Sequence, residues 1–203
     1  METKRFILFF TVASLLILAL SFIAARDRFT WVLEVAPIII ALPLLFFTYG
    51  RFQFTGLVYS LLLLHFVILA VGGIYTYAKV PLGFWMQDWF GFSRNHYDRI
   101  GHFFQGFVPA LVLRELLIRK SPLVSGKWLF TIIVWMCLGF SAFYELIEWW
   151  TAAVQGADAD AFLGSQGDIW DAQKDMLLAF LGAISALLLF SRFHDKMIEK
   201  TKG

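Results

Sequence analysis

The chain has 203 residues, 60% of them hydrophobic and only 16% charged, and phenylalanine alone supplies 23. A soluble domain of this size is nearer half apolar and a quarter charged, so a wholly water-facing surface around one core is excluded. The net charge of +2 comes from basic residues at the ends of apolar blocks and offers no surface for nucleic acid.

The apolar residues gather in blocks of about 18 to 23, the length at which an α-helix crosses some 30 Å of hydrocarbon. In chain order these predict an all-α bundle of six transmembrane helices over 6–25, 31–49, 56–78, 98–118, 128–150 and 172–192, one membrane domain filling 1–203. The first block is about twice the length of a signal-peptide core. Arg26-Asp27-Arg28 follows it without a small-x-small cleavage site, so it reads as a retained anchor. Pro37 and Pro43 in the second block and Pro109 in the fourth predict kinks, tolerated where neighbours satisfy the freed carbonyls. His65, midway along the third, reads as a polar contact between helices. Cys137 is the only cysteine and lies within the fifth block, so no intrachain disulfide forms. The connections are short except for 79–97 and 151–171.

Lysine and arginine set the orientation. With the N-terminus inside, eleven of them fall on the cytoplasmic side and six on the other, and the bias is strongest after the fourth and sixth helices (Arg114, Arg119, Lys120, Lys127; Arg192, Lys196, Lys200, Lys202). Both termini are predicted to be cytoplasmic. Carboxylates distribute the opposite way: Asp27, Glu34, Asp88, Asp98, Glu145, Glu148, Asp158, Asp160, Asp168, Asp171 and Asp175 lie outside or at outer helix ends. Trp31, Trp85, Trp89, Trp149, Trp150 and Trp170 fall at the same boundary, as an interfacial aromatic belt does.

Three clusters carry the chemistry. Where the fourth helix enters, Asp98, His102 and Gln105 share one face at i, i+4, i+7, with His96 just before them. Where the fifth leaves, Tyr144, Glu145 and Glu148 crowd two turns. Where the sixth enters, Asp168, Asp171 and Asp175 stand at i, i+3, i+7. Each has a plain structural alternative. Asp168 can cap the sixth helix with Asp171 in its first turn, Asp98 can pair with Arg94 or Arg99, Glu148 can be a solvated helix end, and His102 can be a packing residue. Capping does not account for Asp175, two turns in with an apolar stretch after it.

Together the clusters place several carboxylates in one small cleft, and like charges that close do not all stay ionised at low dielectric. A divalent cation, neutralising arginines or shared protons would relieve them. Carboxylates and imidazole on facing helices can build a metal site in a bundle. An oxygen-rich set without thiolates favours Mg²⁺, Mn²⁺, Fe²⁺ or Zn²⁺ with an open position. The expected function is thus a metal-assisted hydrolase or transferase acting on a lipid or lipid-linked substrate at the non-cytoplasmic face. Asp98, His102, Glu145, Asp171 and Asp175 would hold the metal, Glu148 would act as general base, and His96, Gln105, Tyr144 and Asp168 would support them. A small transporter or proton-coupled channel is the alternative, though a relay should continue across the membrane and the inner halves of the last three helices offer little beyond Thr131 and Ser141. A non-catalytic membrane scaffold is the third reading.

Three motifs carry a family resemblance: His96-Tyr97-Asp98-Arg99-Ile100-Gly101-His102, Tyr144-Glu145-Leu146-Ile147-Glu148-Trp149, and Gly167-Asp168-Ile169-Trp170-Asp171 with Lys174-Asp175-Met176. On these the whole chain resembles the YjdF-like family of predicted bacterial inner-membrane proteins, whose function is not established. It is more distantly similar to the VanZ-like membrane proteins, departing from them at Glu148, where they carry Gln. The resemblance implies a membrane bundle and leaves the reaction open.

Overall fold

A computed structural model describes residues 2–155 and 165–201. Asp158 and Asp160, in the middle of the 151–171 connection, lie outside the described residues. Every regular element among those described is helical: α1 (Glu2–Ala24), α2 (Arg28–Thr48), α3 (Gly56–Tyr75), a 3₁₀ turn (Tyr77–Lys79), α4 (Pro81–Phe90), α5 (Tyr97–Lys120), α6 (Lys127–Gln155) and α7 (Asp171–Lys200).

The differences from the sequence reading lie at helix ends and have local causes. α2 begins three residues early because Asp27 caps it, its Oδ1 accepting the Thr30 N–H at 2.6 Å. That bond holds the Asp27 carboxyl below the usual carboxylate value. α3 stops at Tyr75, where Thr76 takes a positive φ of 61° and turns Tyr77 back into the bundle. The Tyr77 ring fills the space beside two glycines of different helices; a Cβ on Gly101 would lie 2.6 Å from Tyr77 Cε1, and one on Gly72 would be closer still to the same ring. The 79–97 connection contains α4, opened by Pro81 at its first position and closed by Gly91 at φ 67°, the usual punctuation of a helix. α7 runs eight residues beyond its expected end.

Five helices (α1, α2, α3, α6 and α7) are long and apolar enough to cross a membrane. α5 has 24 residues, or about 36 Å at 1.5 Å per residue. Its composition falls short because Asp98, Arg99 and His102 stand near one end and Arg114, Glu115, Arg119 and Lys120 near the other.

α5 and α7 form the axis of the bundle and run parallel. Ala179, Ala183 and Ala186 of α7 are fully buried, and Gly182 lies between them. A Cβ on Gly106 would collide with the Ala179 carbonyl, and one on Gly182 with that of Phe103. Small residues thus let the two backbones touch, the packing mode available where no hydrophobic force separates helix from lipid. α3 runs antiparallel to α5, with Tyr97 Oη donating to Ile68 O at 2.9 Å. Tyr144 Oη of α6 donates to Leu33 O of α2 at 3.2 Å, which holds the start of α2 beside the end of α6. The close α5–α7 contact brings the polar first turns of both helices to one level.

Candidate functional site

The approach to α5 is fixed by Asn95, whose Nδ2 donates to Val80 O at 2.9 Å while its Oδ1 accepts the Tyr97 N–H at 3.0 Å. The segment before α7 docks on it: Asn95 N donates to Gln166 Oε1 at 3.1 Å, and Gln166 Nε2 to Asn95 O at 2.8 Å. Arginine and aspartate then interleave across the two helix starts. Asp171 Oδ1 receives both Arg94 Nη2 and Arg99 Nη2 at 2.6 Å. Arg99 also pairs with Asp175 and, at 3.3 Å, with Asp168. At the rim, Lys174 Nζ lies 2.6 Å from Asp168, which holds that half-buried carboxyl below its usual value.

One turn deeper stands His102, 5% exposed. Its Nε2 lies 3.4 Å from Asp98 Oδ1 and 3.7 Å from Glu145 Oε1. Asp98 therefore pairs with imidazole and not with Arg94 or Arg99, the structural alternative its neighbours in sequence suggested. Asp98, His102 and Asp175 each bring one ligand atom within 4.8 Å of the other two. Ligands at about 2.0–2.2 Å from one tetrahedral ion stand about 3.3–3.6 Å apart, a spacing Asp98 and His102 already have at 3.4 Å and Asp175 would reach by a shift of about an ångström. Asp175 Oδ1, His102 Nδ1 and Glu145 Oε1 are buried without a hydrogen-bond partner among the described residues. A buried polar atom left so costs about 1–3 kcal/mol, and the Asp175 and Glu145 oxygens offer lone pairs of the kind a divalent cation takes, beside the His102 Nε2 that faces Asp98. The residues fit such an ion.

The other expected site residues gather around this group to different degrees. Glu148 is buried, 8% exposed, so it is not a solvated helix end. It interacts electrostatically with Asp98, Glu145 and Asp175. Tyr144 stacks edge-on against His102, ring centroids 6.3 Å apart. Gln105 Oε1 is buried and has no hydrogen-bond partner among the described residues. Asp168 accepts the Trp170 N–H at 3.1 Å, and His96 lies outside the helix, against Phe92. His65 is buried, but its Nε2 has no partner among the described residues, so the expected polar contact is not formed by that atom.

Glu34 of α2 was missed. It is 5% exposed and interacts with Asp98 and His102, adding a carboxylate from a fourth helix. Its signal was a glutamate set in the apolar run Trp31-Val32-Leu33-Glu34-Val35-Ala36, a costly placement without a partner.

Residues 6–196 match the family described as "Predicted membrane protein (DUF2238)". The chain is 50% identical over 185 residues to "Inner membrane protein YjdF" of Escherichia coli strain K12, which covers 91% of this chain and 88% of that protein. The chain belongs to the YjdF-like family of membrane proteins. These matches support that resemblance and not the VanZ-like one. No solved structure matches the chain.

This YjdF-like chain holds a second polar group that the sequence reading overlooked, at the opposite end of α5 and α7. Glu115 and His194, both fully buried, meet at 3.0 Å. Glu115 also accepts the Thr55 N–H at 2.9 Å, the Thr55 hydroxyl at 2.8 Å and Arg119 Nη1 at 2.6 Å. Beside it Arg114 pairs with Asp195 at 2.6 Å. The half of the bundle expected to be cytoplasmic is therefore not bare beyond Thr131 and Ser141. The well-satisfied Glu115 ties α3, α5 and α7 together. His102 and Glu115 are about 20 Å apart along α5 at 1.5 Å per residue, with Phe107, Val108 and Leu111 buried between them.

Proposed function

We propose that the chain is a metal-assisted membrane enzyme acting on a lipid or lipid-linked substrate at the non-cytoplasmic face of the inner membrane. α5 would be a sixth crossing and both termini cytoplasmic. The observation that carries this reading is the convergence of Asp98, His102 and Asp175 within 4.8 Å, with one Asp175 oxygen buried and unpartnered among the described residues. Asp98, His102 and Asp175 hold the ion, with Glu145 next to His102 as a further ligand. Asp171, engaged by both guanidiniums, orients Arg94 and Arg99 in this scheme.

A bound divalent cation supplies Lewis-acid chemistry toward a head-group oxygen. Arg99 and Arg94 hold the head group by charge-assisted hydrogen bonds. Glu148 accepts a proton from the attacking water as the new bond forms and returns it to the leaving oxygen. Trp85 and Trp89, both exposed on α4, sit where acyl chains meet head groups. The scaffold reading predicts no turnover. A relay gains Glu115 and His194 as an inner station, but the apolar stretch of about 20 Å between the two groups opposes it.

The test is turnover. Reconstituted protein is supplied in turn with Mg²⁺, Mn²⁺, Fe²⁺ and Zn²⁺ in mixed phospholipid, and water-soluble head-group products are followed by mass spectrometry. The reading expects product from wild type and at least a hundredfold less from Glu148→Gln, the usual worth of a positioned base being about 10²–10⁴. No product with any ion, in protein shown to hold that ion, would rule out the enzyme.

A further inference from the structure

In the cluster around the starts of α5 and α7, Glu34 is the acid for which the proposed scheme has no task. Basic side chains take up Asp98 (His102), Asp168 (Lys174), Asp171 (Arg94 and Arg99) and Asp175 (Arg99). Glu34, Glu145 and Glu148 meet no arginine or lysine among the described residues. Glu145 shares His102 and would join the ion, and Glu148 would act as the base. With every carboxyl ionised the cluster keeps an excess of negative charge even beside a divalent ion, and like charges this close do not all stay ionised at low dielectric. A further cation relieves it, and Glu34 is placed to take one. It is more than nine-tenths buried, yet its carboxylate takes no hydrogen bond or ion pair from a described residue.

Close packing sets Glu34 beside two tyrosines. A Cβ on Gly73 would lie 3.6 Å from Glu34 Cβ, and the Tyr77 ring fills the space over the neighbouring Gly72 and against Gly101, one residue before His102. On the other side Tyr144 Oη reaches the carbonyl of Leu33, next to Glu34 in the chain. That carbonyl is free for it because Pro37, four residues on, has no N–H to offer. Glu34 interacts electrostatically with both tyrosines. Tyr77 is also more than nine-tenths buried, and its hydroxyl has no hydrogen-bond partner among the described residues. A carboxylate from α2 and a phenol from the 3₁₀ turn thus converge on one flank of the cluster, both unsatisfied. A groove of about 330 Å³, between Phe29 of α2 and Ile147, Trp150 and Thr151 of α6, opens the α2–α6 seam near these helix ends.

Spacing decides which cation suits Glu34. A small divalent ion draws its ligands to about 3.3–3.6 Å of one another, and among the described residues Glu34 belongs to no set of three potential ligands even within 4.8 Å. An ammonium group has three N–H donors, reaches carboxylate oxygens at about 2.7–2.9 Å and is attracted to tyrosine rings. We propose that Glu34 seats the primary ammonium of an aminophospholipid head group, with Tyr77 and Tyr144 beside it. The inference deepens the proposed function by naming its substrate class and rests on it for the chemistry, while the seating of an amine needs neither metal nor turnover. A soluble amine carries the same group, and the experiment separates the two.

The experiment offers the full chain in detergent an equal mixture of phosphatidylethanolamine, phosphatidylcholine and phosphatidylglycerol with matched acyl chains. Retained lipid is counted by native mass spectrometry, and metal content and Tm are measured on the same samples. Wild type is expected to retain phosphatidylethanolamine about tenfold over the other two, the worth of one charge-assisted hydrogen bond. Glu34→Gln should abolish that preference and Tyr77→Phe reduce it about threefold, both with phosphatidylglycerol retention unchanged. Each variant keeps side-chain volume, and Glu34→Gln removes an unpaired buried charge, so neither should lower Tm. Equal retention of phosphatidylethanolamine and phosphatidylcholine by wild type, or the wild-type preference persisting in folded Glu34→Gln, would overturn the ammonium seat. Binding of free ethanolamine that depends on Glu34, with no preference among the lipids, would overturn the lipid as its source. A Glu34-dependent preference with no metal in any sample sinks the metal reading alone, and metal without the preference sinks this inference alone.

Discussion

Arg99→Met removes the cation on which the helix-start network turns. Arg99 pairs with Asp168, Asp171 and Asp175. Asp171 keeps Arg94 at 2.6 Å, and Asp168 keeps Lys174 at 2.6 Å. Asp175, 1% exposed, loses the partner of one oxygen while the other already has none among the described residues. Leaving a buried charge unpaired costs about 3–5 kcal/mol, equivalent to roughly 6–20 °C in Tm for a chain of this length. The assay is thermal unfolding of metal-free protein in one detergent, followed by tryptophan fluorescence. Two comparisons fix the interpretation. Lys174→Ala breaks a pair whose lysine is 52% exposed, and such pairs contribute about 0–1 kcal/mol, so its Tm should barely move. Arg99→Met with Asp175→Leu removes both charges and should recover most of the loss, because a buried pair replaced by apolar residues is often neutral or better. An Arg99→Met loss no larger than that of Lys174→Ala, or a double variant worse than the sum of its parts, would refute the reasoning.

Gly106→Leu forces a side chain onto the Ala179 carbonyl; it should cost about 1–3 kcal/mol as overpacking and part the helix starts, read as a lower Tm together with lost metal binding. Asp27→Ala should destabilise α2 by about 1 kcal/mol at neutral pH through loss of its cap. The Asp27 carboxyl is held lower when folded than unfolded, so its contribution is present above the unfolded value and lost as pH falls through the folded one; the wild-type and variant melting curves should converge below about pH 4. The proposed six crossings put both termini on one side, so green fluorescent protein should fluoresce when fused at either end, and alkaline phosphatase should be active in the 25–27, 79–97 and 151–171 connections and inactive in 49–55 and 121–126. Opposite results at the two termini would mean an odd number of crossings.

The bundle was legible in the sequence because apolar length measures itself against the membrane, and the stripes Asp98/His102, Glu145/Glu148 and Asp171/Asp175 were legible because helical spacing puts each on one face. Their meeting followed from topology. What sequence spacing could not supply was pairing between distant segments. Arg99 sits one residue from Asp98, yet it pairs with carboxylates of α7, while Asp98 turns to His102. Glu115 and His194 stand 79 positions apart and meet only because glycines and alanines let α5 and α7 touch along their length. Glu34 was visible as an isolated acid, but nothing local told that the start of α2 leans on α6. α4 could have been found: Pro81 and Gly91 bracket it as start and stop, and only its ten residues, too few to span, kept it among the connections.

If Asp98, His102 and Asp175 hold a divalent cation, elemental analysis of detergent-purified protein will find it. Wild type is compared with His102→Gln and with Asp98→Asn, a variant that leaves the pairs of Arg99 in place. The account predicts about one divalent ion per folded wild-type chain, with three to four protein ligands, and its loss in both variants. No ion in folded wild type after supplementation with Mg²⁺, Mn²⁺, Fe²⁺ and Zn²⁺, or equal ion content in all three proteins, would contradict it and leave the cluster as a charge network.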